Sequence, residues 1–504
     1  MPTAEDEVVS TGVSGLDDVL RGGLPASRLY LVEGNPGSGK TTLAIQFLLE
    51  GVRRGESVLY VTLSETKQEL LAIARSHGWS LDKIHIHEMA ADEQSMSPDS
   101  QITMFHPSEL ELSETVKSVL DEVEQYKPRR IVFDSLSEMR LLAQNALRYR
   151  RQILSLKHFF IGRNSTVLLL DDRTAPGEDL QLQSIAHGVV RLEQISTQYG
   201  AERRRLTICK MRGVAFRGGL HDFVIRRGGL DVFPRLVAAE HHSVFEDRDM
   251  PSGLPELDNL LGGGLPVGSS TLFIGPAGVG KSSAALQFAV AAARRGVCGA
   301  LYIFDETMDI LKSRARKLGM AVEPLMEKGL LTIQQIDPAE LSPGEFAATI
   351  RRAIDDKVNP AKVILIDSLN GYLFSMPEER FLGAQLHELF TFLNQRGITT
   401  MVTVTQSGMI GSSMKSPVDM TYLADNVILF RYFEAFGHVR RAISVVKKRS
   451  GAHELTIREM EIVGGKGLVI SKPLTEFQGI LTGVPTQGWG SNEILDKLRR
   501  GGDE

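Results

Sequence analysis

Short apolar runs alternate with longer segments of helical period along most of the chain. In the first half the runs are LYLVEG, SVLYVTL, RIVFDS and TVLLLDD, separated by TTLAIQFLLEGVRR, TKQELLAIARSHG and RYRRQILSLKHFF. Runs this continuous suit strands buried on both faces, and the intervening segments suit the helices that cover them. The alternation predicts an α/β fold whose sheet is mostly parallel and flanked by helices.

The pattern occurs twice. GLDDVLRGGLP matches ELDNLLGGGLP, GNPGSGKTTLAIQF matches GPAGVGKSSAALQF, and SET (Ser64 to Thr66) matches DET (Asp305 to Thr307), all 241 positions apart. With a small change of offset RIVFDSLSEM matches VILIDSLNGY. So ordered a series marks a tandem duplication. The reading is a first domain over residues 1–234, a linker over 235–250, a second domain over 251–470 and a tail over 471–504. The Gly-, Pro- and polar-rich tail is expected to be partly mobile.

At 504 residues the chain is long enough for two cores, and its 42% hydrophobic and 24% charged content is that of a soluble globular protein. The start MPTAEDEVVS lacks the basic and apolar regions of a secretory signal, so the expectation is the cytoplasm, with no membrane. Cys209 and Cys298 stand alone and far apart, which indicates neither a disulfide framework nor a zinc site and suggests core positions. A net charge of -5 gives no global attraction to nucleic acid, and the run Arg203 to Arg205 reads as a solvated strand face.

The chemistry lies in the two copies of GxxxxGK[ST], each between a strand and a helix. Gly34, Gly37, Ser38, Gly39, Lys40, Thr41 and Thr42 form one; Gly275, Gly278, Val279, Gly280, Lys281, Ser282 and Ser283 form the other. Glycines permit a tight loop whose backbone N–H groups surround phosphates, the helix N-terminus adds positive potential, and the lysine reaches the outer phosphates. The hydroxyls of Thr41 and Ser282 are expected to ligate Mg2+, with Asp134 and Asp367, each ending an apolar strand, holding it through water. ATP and Mg2+ are thus the expected ligands. An acidic residue must orient the attacking group, and the strand after the first helix of each copy offers Glu65 and the pair Asp305-Glu306.

With these residues in place the chain resembles the KaiC family of clock ATPases and autokinases, which carry two RecA-like P-loop domains. The likeness extends over TGVSGLDDVLRGGLP, VTLSET, FDSLSEM and KMRG in the first half, and VILFRYFE, RRAISVVKKRSGAH and LTEFQGILTGVPT in the second. The resemblance implies a homohexameric double ring with ATP between subunits. It also implies that a neighbour's basic segment completes each site: Lys210 and Arg212 in the first ring, Lys447, Arg449 and His453 in the second. The first ring would hydrolyse ATP slowly, and the second would phosphorylate hydroxyls of the adjacent subunit. Aligning ADNVILF with the family's corresponding strand places the acceptor pair at Thr421-Tyr422, with Ser412, Ser413 and Ser416 nearby as substitutes. Asp305 is then the expected kinase base, supported by Glu306.

The pattern departs from the family at Tyr422 and at Ser64-Glu65, where the family has paired glutamates. The segment around Phe477, Ile480 and Leu481 corresponds to a loop that controls kinase activity, beyond which a regulatory or signalling partner binds. The competing readings are a RecA-like nucleic-acid motor or recombinase, and a scaffold in which ATP only holds subunits together.

Overall fold

The computed structural model of the protein describes residues 7–89, 107–143, 145–160, 162–173, 180–197, 200–374, 381–406, 421–482 and 486–487. Ser412, Ser413, Ser416 and nearly all of the tail beyond Thr482 lie outside the described residues. The chain divides into two compact units, Met1–Arg235 and Leu236–Glu504.

The first unit contains a nine-stranded sheet: β1 Leu29–Gly34, β2 Val58–Thr62, β3 His85–Glu88, β4 Arg130–Asp134, β5 Thr166–Asp172, β6 Gly188–Ile195, β7 Arg203–Met211, β8 His221–Arg226 and β9 Gly229–Phe233. Their spatial order is β9-β8-β7-β6-β1-β5-β4-β2-β3. Strands β3 to β6 across the middle are parallel, and β6 to β9 continue as an antiparallel meander. The second unit repeats this with β10 Ser270–Gly275, β11 Gly299–Ile303, β12 Leu331–Gln335, β13 Val363–Asp367, β14 Thr399–Thr405, β15 Asn426–Ala435, β16 His438–Lys448, β17 Arg458–Val463 and β18 Gly467–Pro473. The order β12-β11-β13-β14-β10-β15-β16-β17-β18 is the same topology, strand for strand. Each unit is therefore a RecA-like P-loop domain, a mostly parallel sheet flanked by helices.

The apolar runs are continuous because both sheet faces are covered. Along β1, Tyr30 and Val32 belong to one buried cluster and Leu29 and Leu31 to another. Strands β10 and β13 divide in the same alternating way, Phe273 and Leu365 on one face, Leu272, Ile274, Ile364 and Ile366 on the other. Such two-sided burial supplies the dominant favourable term of folding.

In both units the pairing after the parallel strands is interrupted at the same place. The register shifts between Val189 and Val190 in the first and between Val427 and Ile428 in the second. The extra residue on the partner strand is Cys209 in one and Val446 in the other. A bulge turns its extra residue out of the ladder, so Cys209 is exposed rather than in the core as its isolation in the sequence suggested, and Cys298 is only half-buried. The segment joining the two repeats packs on the second unit: Ala238 enters that unit's core, and Phe245 lies against Gly268 and Gly397, where a Cβ would meet its ring within 2.5 and 2.6 Å.

Candidate functional site

The grips form at the carboxyl ends of β1 and β10, where the chain turns into the helices Lys40–Arg53 and Lys281–Arg294. Gly39 and Gly280, which precede those helices, have φ of 101° and 113°, a conformation that only glycine adopts without strain. A Cβ at Gly39 would also lie 2.6 Å from Ile225 Cδ1. Gly34 and Gly275 are close-approach positions of a different kind. Their Cβ atoms would fall 2.5 Å from the carbonyl oxygens of Leu192 and Phe430 on the neighbouring strand. Gly37 and Gly278 turn the loops with positive φ, Ser38 and Val279 are fully buried, and the side chains of Thr42 and Ser283 are nearly so.

Both grip lysines are buried. Lys281 donates to Pro276 O at 2.8 Å. Burial pushes its ammonium down to about 8, against the opposing pull of Asp367 and Asp305. Lys40 donates to Gly34 O at 2.9 Å and Asn35 O at 3.1 Å, and also forms an ion pair with Asp172 at 2.6 Å.

The expected hydroxyl and carboxylate pairs are in place in both repeats. Thr41 Oγ1 donates to Asp134 Oδ2 at 3.2 Å, and Ser282 Oγ to Asp367 Oδ1 at 2.9 Å. Each aspartate has a further donor that the motifs did not indicate. Tyr60 OH donates to Asp134 at 2.5 Å, whereas Thr403 Oγ1 donates to Asp367. Burial, against these donors, raises Asp134 above the usual carboxylate range. Among the described residues no three His, Cys, Asp or Glu side chains are grouped to hold a metal. A single hydroxyl and a single carboxylate fit Mg2+ that takes its remaining oxygens from phosphate and water.

The acidic residues after β2 and β11 differ between the copies. Ser368 Oγ donates to Asp305 Oδ2, and Glu306 is ion-paired with Arg314, which also donates to Ser283 Oγ at 3.1 Å. Asp305 and Glu306 are thus held by different partners. In the first copy Ser64 replaces Asp305, and Ile73 stands where Arg314 does, 241 positions earlier. Among the described residues Ser135, the counterpart of Ser368, consequently has a buried hydroxyl with no hydrogen-bond partner, and Glu65 Oε2 is likewise buried without one. Burial first, then the nearby Asp134, pushes Glu65 up to about 7.

Beside the second grip lies a cavity of about 680 Å³ lined by Gly278, Lys281, Ser282, Glu306, Arg314 and Ile462, among others. This is ample for a nucleotide.

The basic residues and the acceptor pair are elsewhere. Lys210 pairs with Val189 and Lys447 with Val427, near the amino ends of β6 and β15, whereas the grips lie at carboxyl ends. Lys210 Nζ donates to the carbonyls of Gln183 and Ala186 at 2.6 and 3.0 Å, and Arg212 to Ser184 O at 2.6 Å. Lys447 Nζ donates to Thr421 O and Ala424 O at 2.9 and 2.7 Å, and Arg449 pairs with Asp425 at 2.9 Å. His453 Nε2 is buried without a hydrogen-bond partner among the described residues. Thr421 and Tyr422 are exposed at this same end, Tyr422 at 63%.

Five neighbours of the site escaped the motifs: Tyr60, Asp172, Arg314, Ser368 and Thr403. Asp172 had a usable signal, since it ends the apolar run TVLLLDD as Asp134 ends RIVFD. Ser368 follows Asp367 directly. The others contact the site across strands or from a helix.

The paired lysine, hydroxyl and aspartate at the carboxyl ends of the parallel strands in each unit's sheet define a tandem P-loop ATPase of RecA-like fold. A family model described as "ATPase: KaiC" matches residues 9–237 and 250–475. The chain belongs to the KaiC ATPase family. It is 29% identical over 493 residues to the circadian clock oscillator protein KaiC of Thermostichus vulcanus, covering 96% of this chain and 93% of that protein. It is 28% identical over 484 residues to the protein of the same name from Synechococcus elongatus, covering 95% and 91%. Among the described residues no helix is long and apolar enough to cross a membrane.

Proposed function

We propose that the protein is an ATP-hydrolysing homohexameric double ring and a Ser/Thr autokinase, with a clock-related or other signalling role in the cytoplasm. The single observation behind the kinase reading is the placement of Thr421. It is exposed at the amino end of β15, while Lys281, Ser282 and Asp305 sit at the carboxyl end of the same sheet. On this reading its hydroxyl serves the site of an adjacent copy.

In that arrangement Lys281 holds the outer phosphates of ATP, and Ser282 with Asp367 holds Mg2+. When bound, the ion would supply positive charge to the phosphate oxygens. The Thr421 hydroxyl loses its proton to the Asp305 carboxylate, the bond from γ-phosphorus to the threonine oxygen forms, and the bond from γ-phosphorus to the ADP oxygen breaks. Ser368, by donating to Asp305, orients that carboxylate. Lys447 and Arg449 of the adjacent copy supply positive charge to the transferring group, with His453 in the same segment. Tyr422 is the second hydroxyl of the acceptor segment, carried further out on a rigid ring.

In the first domain Lys40, Thr41 and Asp134 take the corresponding roles, Glu65 is the remaining base for water, and Lys210 and Arg212 come from the neighbour. The segment after β18 and the tail form the surface for a regulatory partner. A nucleic-acid motor is disfavoured because the net charge of -5 gives no global attraction to a polyanion and Arg204 and Arg205 are engaged by Glu202 and Asp222.

The test is phosphopeptide mass spectrometry of the purified chain after incubation with Mg2+ and ATP, beside an Asp305→Ala variant. Phosphate on Thr421 that is missing from the variant is the expected result. ATP turnover without any modified residue would leave a ring ATPase and refute the kinase reading.

A further inference from the structure

The two grip lysines have different partners. Among the described residues Lys281 hydrogen-bonds a backbone carbonyl only, whereas Lys40 has two carbonyls and the Asp172 carboxylate, 2.6 Å away. The difference is written into one strand position. Asp172 ends β5 and pairs with Gly34, the last residue of β1. Thr405 ends β14 and pairs with Gly275, the last residue of β10. The second domain thus has an uncharged residue at the position where the first has a carboxylate.

We propose that Asp172 is a built-in competitor for phosphate in the first domain: it occupies the Lys40 ammonium until a nucleotide displaces it. This rests on the reading of residues 34–42 as a nucleotide grip. An ammonium 7% exposed and a carboxylate 28% exposed form a pair only partly screened by water. Charge-assisted hydrogen bonds of this kind are shorter and stronger than neutral ones. Breaking this one is not prohibitive, because the more exposed partner regains water as it leaves.

The surroundings reinforce the effect. The first site gathers Asp134, Glu65 and Asp172 around one lysine, and among the described residues Glu65 Oε2 has no hydrogen-bond partner. In the second site Arg314 neutralises Glu306 and Ser368 holds Asp305. An incoming polyanion therefore meets more negative charge and a lysine already in use at the first grip. At the second grip it meets an ammonium hydrogen-bonded to backbone alone, with Asp367 and Asp305 near it but not paired with it among the described residues. Asp172 in this role is a positioning residue that sets affinity for the phosphate chain; it takes no part in bond making.

The experiment measures binding of a fluorescent, non-hydrolysable ATP analogue with Mg2+ to the full chain carrying Lys281→Ala, which silences the second grip. Adding Asp172→Thr, the residue of the second repeat, is expected to lower Kd about ten-fold, the scale of one charge-assisted hydrogen bond. Asp172→Asn, of equal size, is expected to do the same, and thermal melting checks that both fold. An unchanged or raised Kd in folded variants overturns the inference. Adding Lys40→Ala to the same background identifies the other failure. If it leaves binding intact, the first grip does not hold the nucleotide, and both readings fall together.

Discussion

Glu65 and Glu306 occupy equivalent positions in the two domains, but Ile73 stands where Arg314 pairs with Glu306. The Glu65 carboxyl is pushed up to about 7 by burial and by Asp134, so it is protonated in mildly acidic solution and can accept a proton only above that pH. In the Lys281→Ala background, the remaining ATPase rate is expected to rise between about pH 6 and pH 8 and then level off. Glu65→Gln should remove that rise and leave a low, flat profile in a steady-state assay. The same shift affects stability. Between the ordinary 4.5 and about 7 the folded state keeps a proton that the unfolded chain has released, so this contribution is present at low pH and lost as pH rises through 7. Glu65→Gln should therefore gain thermal stability relative to the parent as pH rises from about 5 to 7, with no further gain above it.

Elements divide into those the sequence declares and those it does not. The parallel strands were legible because each is a bounded apolar run, and the grips because phosphate binding constrains glycine, lysine and hydroxyl at fixed spacing. The antiparallel strands β16 to β18 and the matched bulges at Cys209 and Val446 were not, since a bulge is a property of two strands in register. The swap of supporting donors is of the same kind. Tyr60 serves Asp134 from β2 while Thr403 serves Asp367 from β14, and neither residue is marked by its own segment. The segment after β18 was legible only as a dockable apolar stretch. It is docked: Ile480 is 1% exposed in a small cluster with Phe433, Ala435 and Ala442, and Phe477 packs beside it. Because that cluster is separate from the two large cores of the unit, Ile480→Ala should cost about 2–4 kcal/mol locally and release the segment. Limited proteolysis should then cut after Phe477 much faster, while the main thermal transition stays in place.

For the whole molecule, the duplication preserved topology and diversified the sites. Both sheets carry the same strand order and the same lysine, hydroxyl and aspartate. They differ at Ser64 against Asp305, Ile73 against Arg314 and Asp172 against Thr405, all at or near the phosphate end. Neither sheet can bring its own basic segment or acceptor to its own grip. Asn426 pairs with Thr271, and the grip begins at Gly275, so at about 3.3 Å per residue the acceptor end lies at least ~13 Å away along β10. If the protein is the autokinase proposed above, transfer to Thr421 runs between copies, and a mixing experiment decides it. A Lys281→Ala chain retains the acceptor but lacks the phosphate grip, and a Thr421→Ala chain retains the grip but lacks the acceptor. Alone, neither should acquire phosphate at residue 421. Mixed with Mg2+ and ATP, they should yield phosphorylated Thr421 on the Lys281→Ala chain only, read by mass spectrometry of the two chains distinguished by isotope label. If the mixture stays unmodified at Thr421 while the parent chain phosphorylates itself under the same conditions, transfer is confined to one copy. The acceptor end would then have to reach its own grip, and the exchange between copies required by the sheet geometry would be wrong.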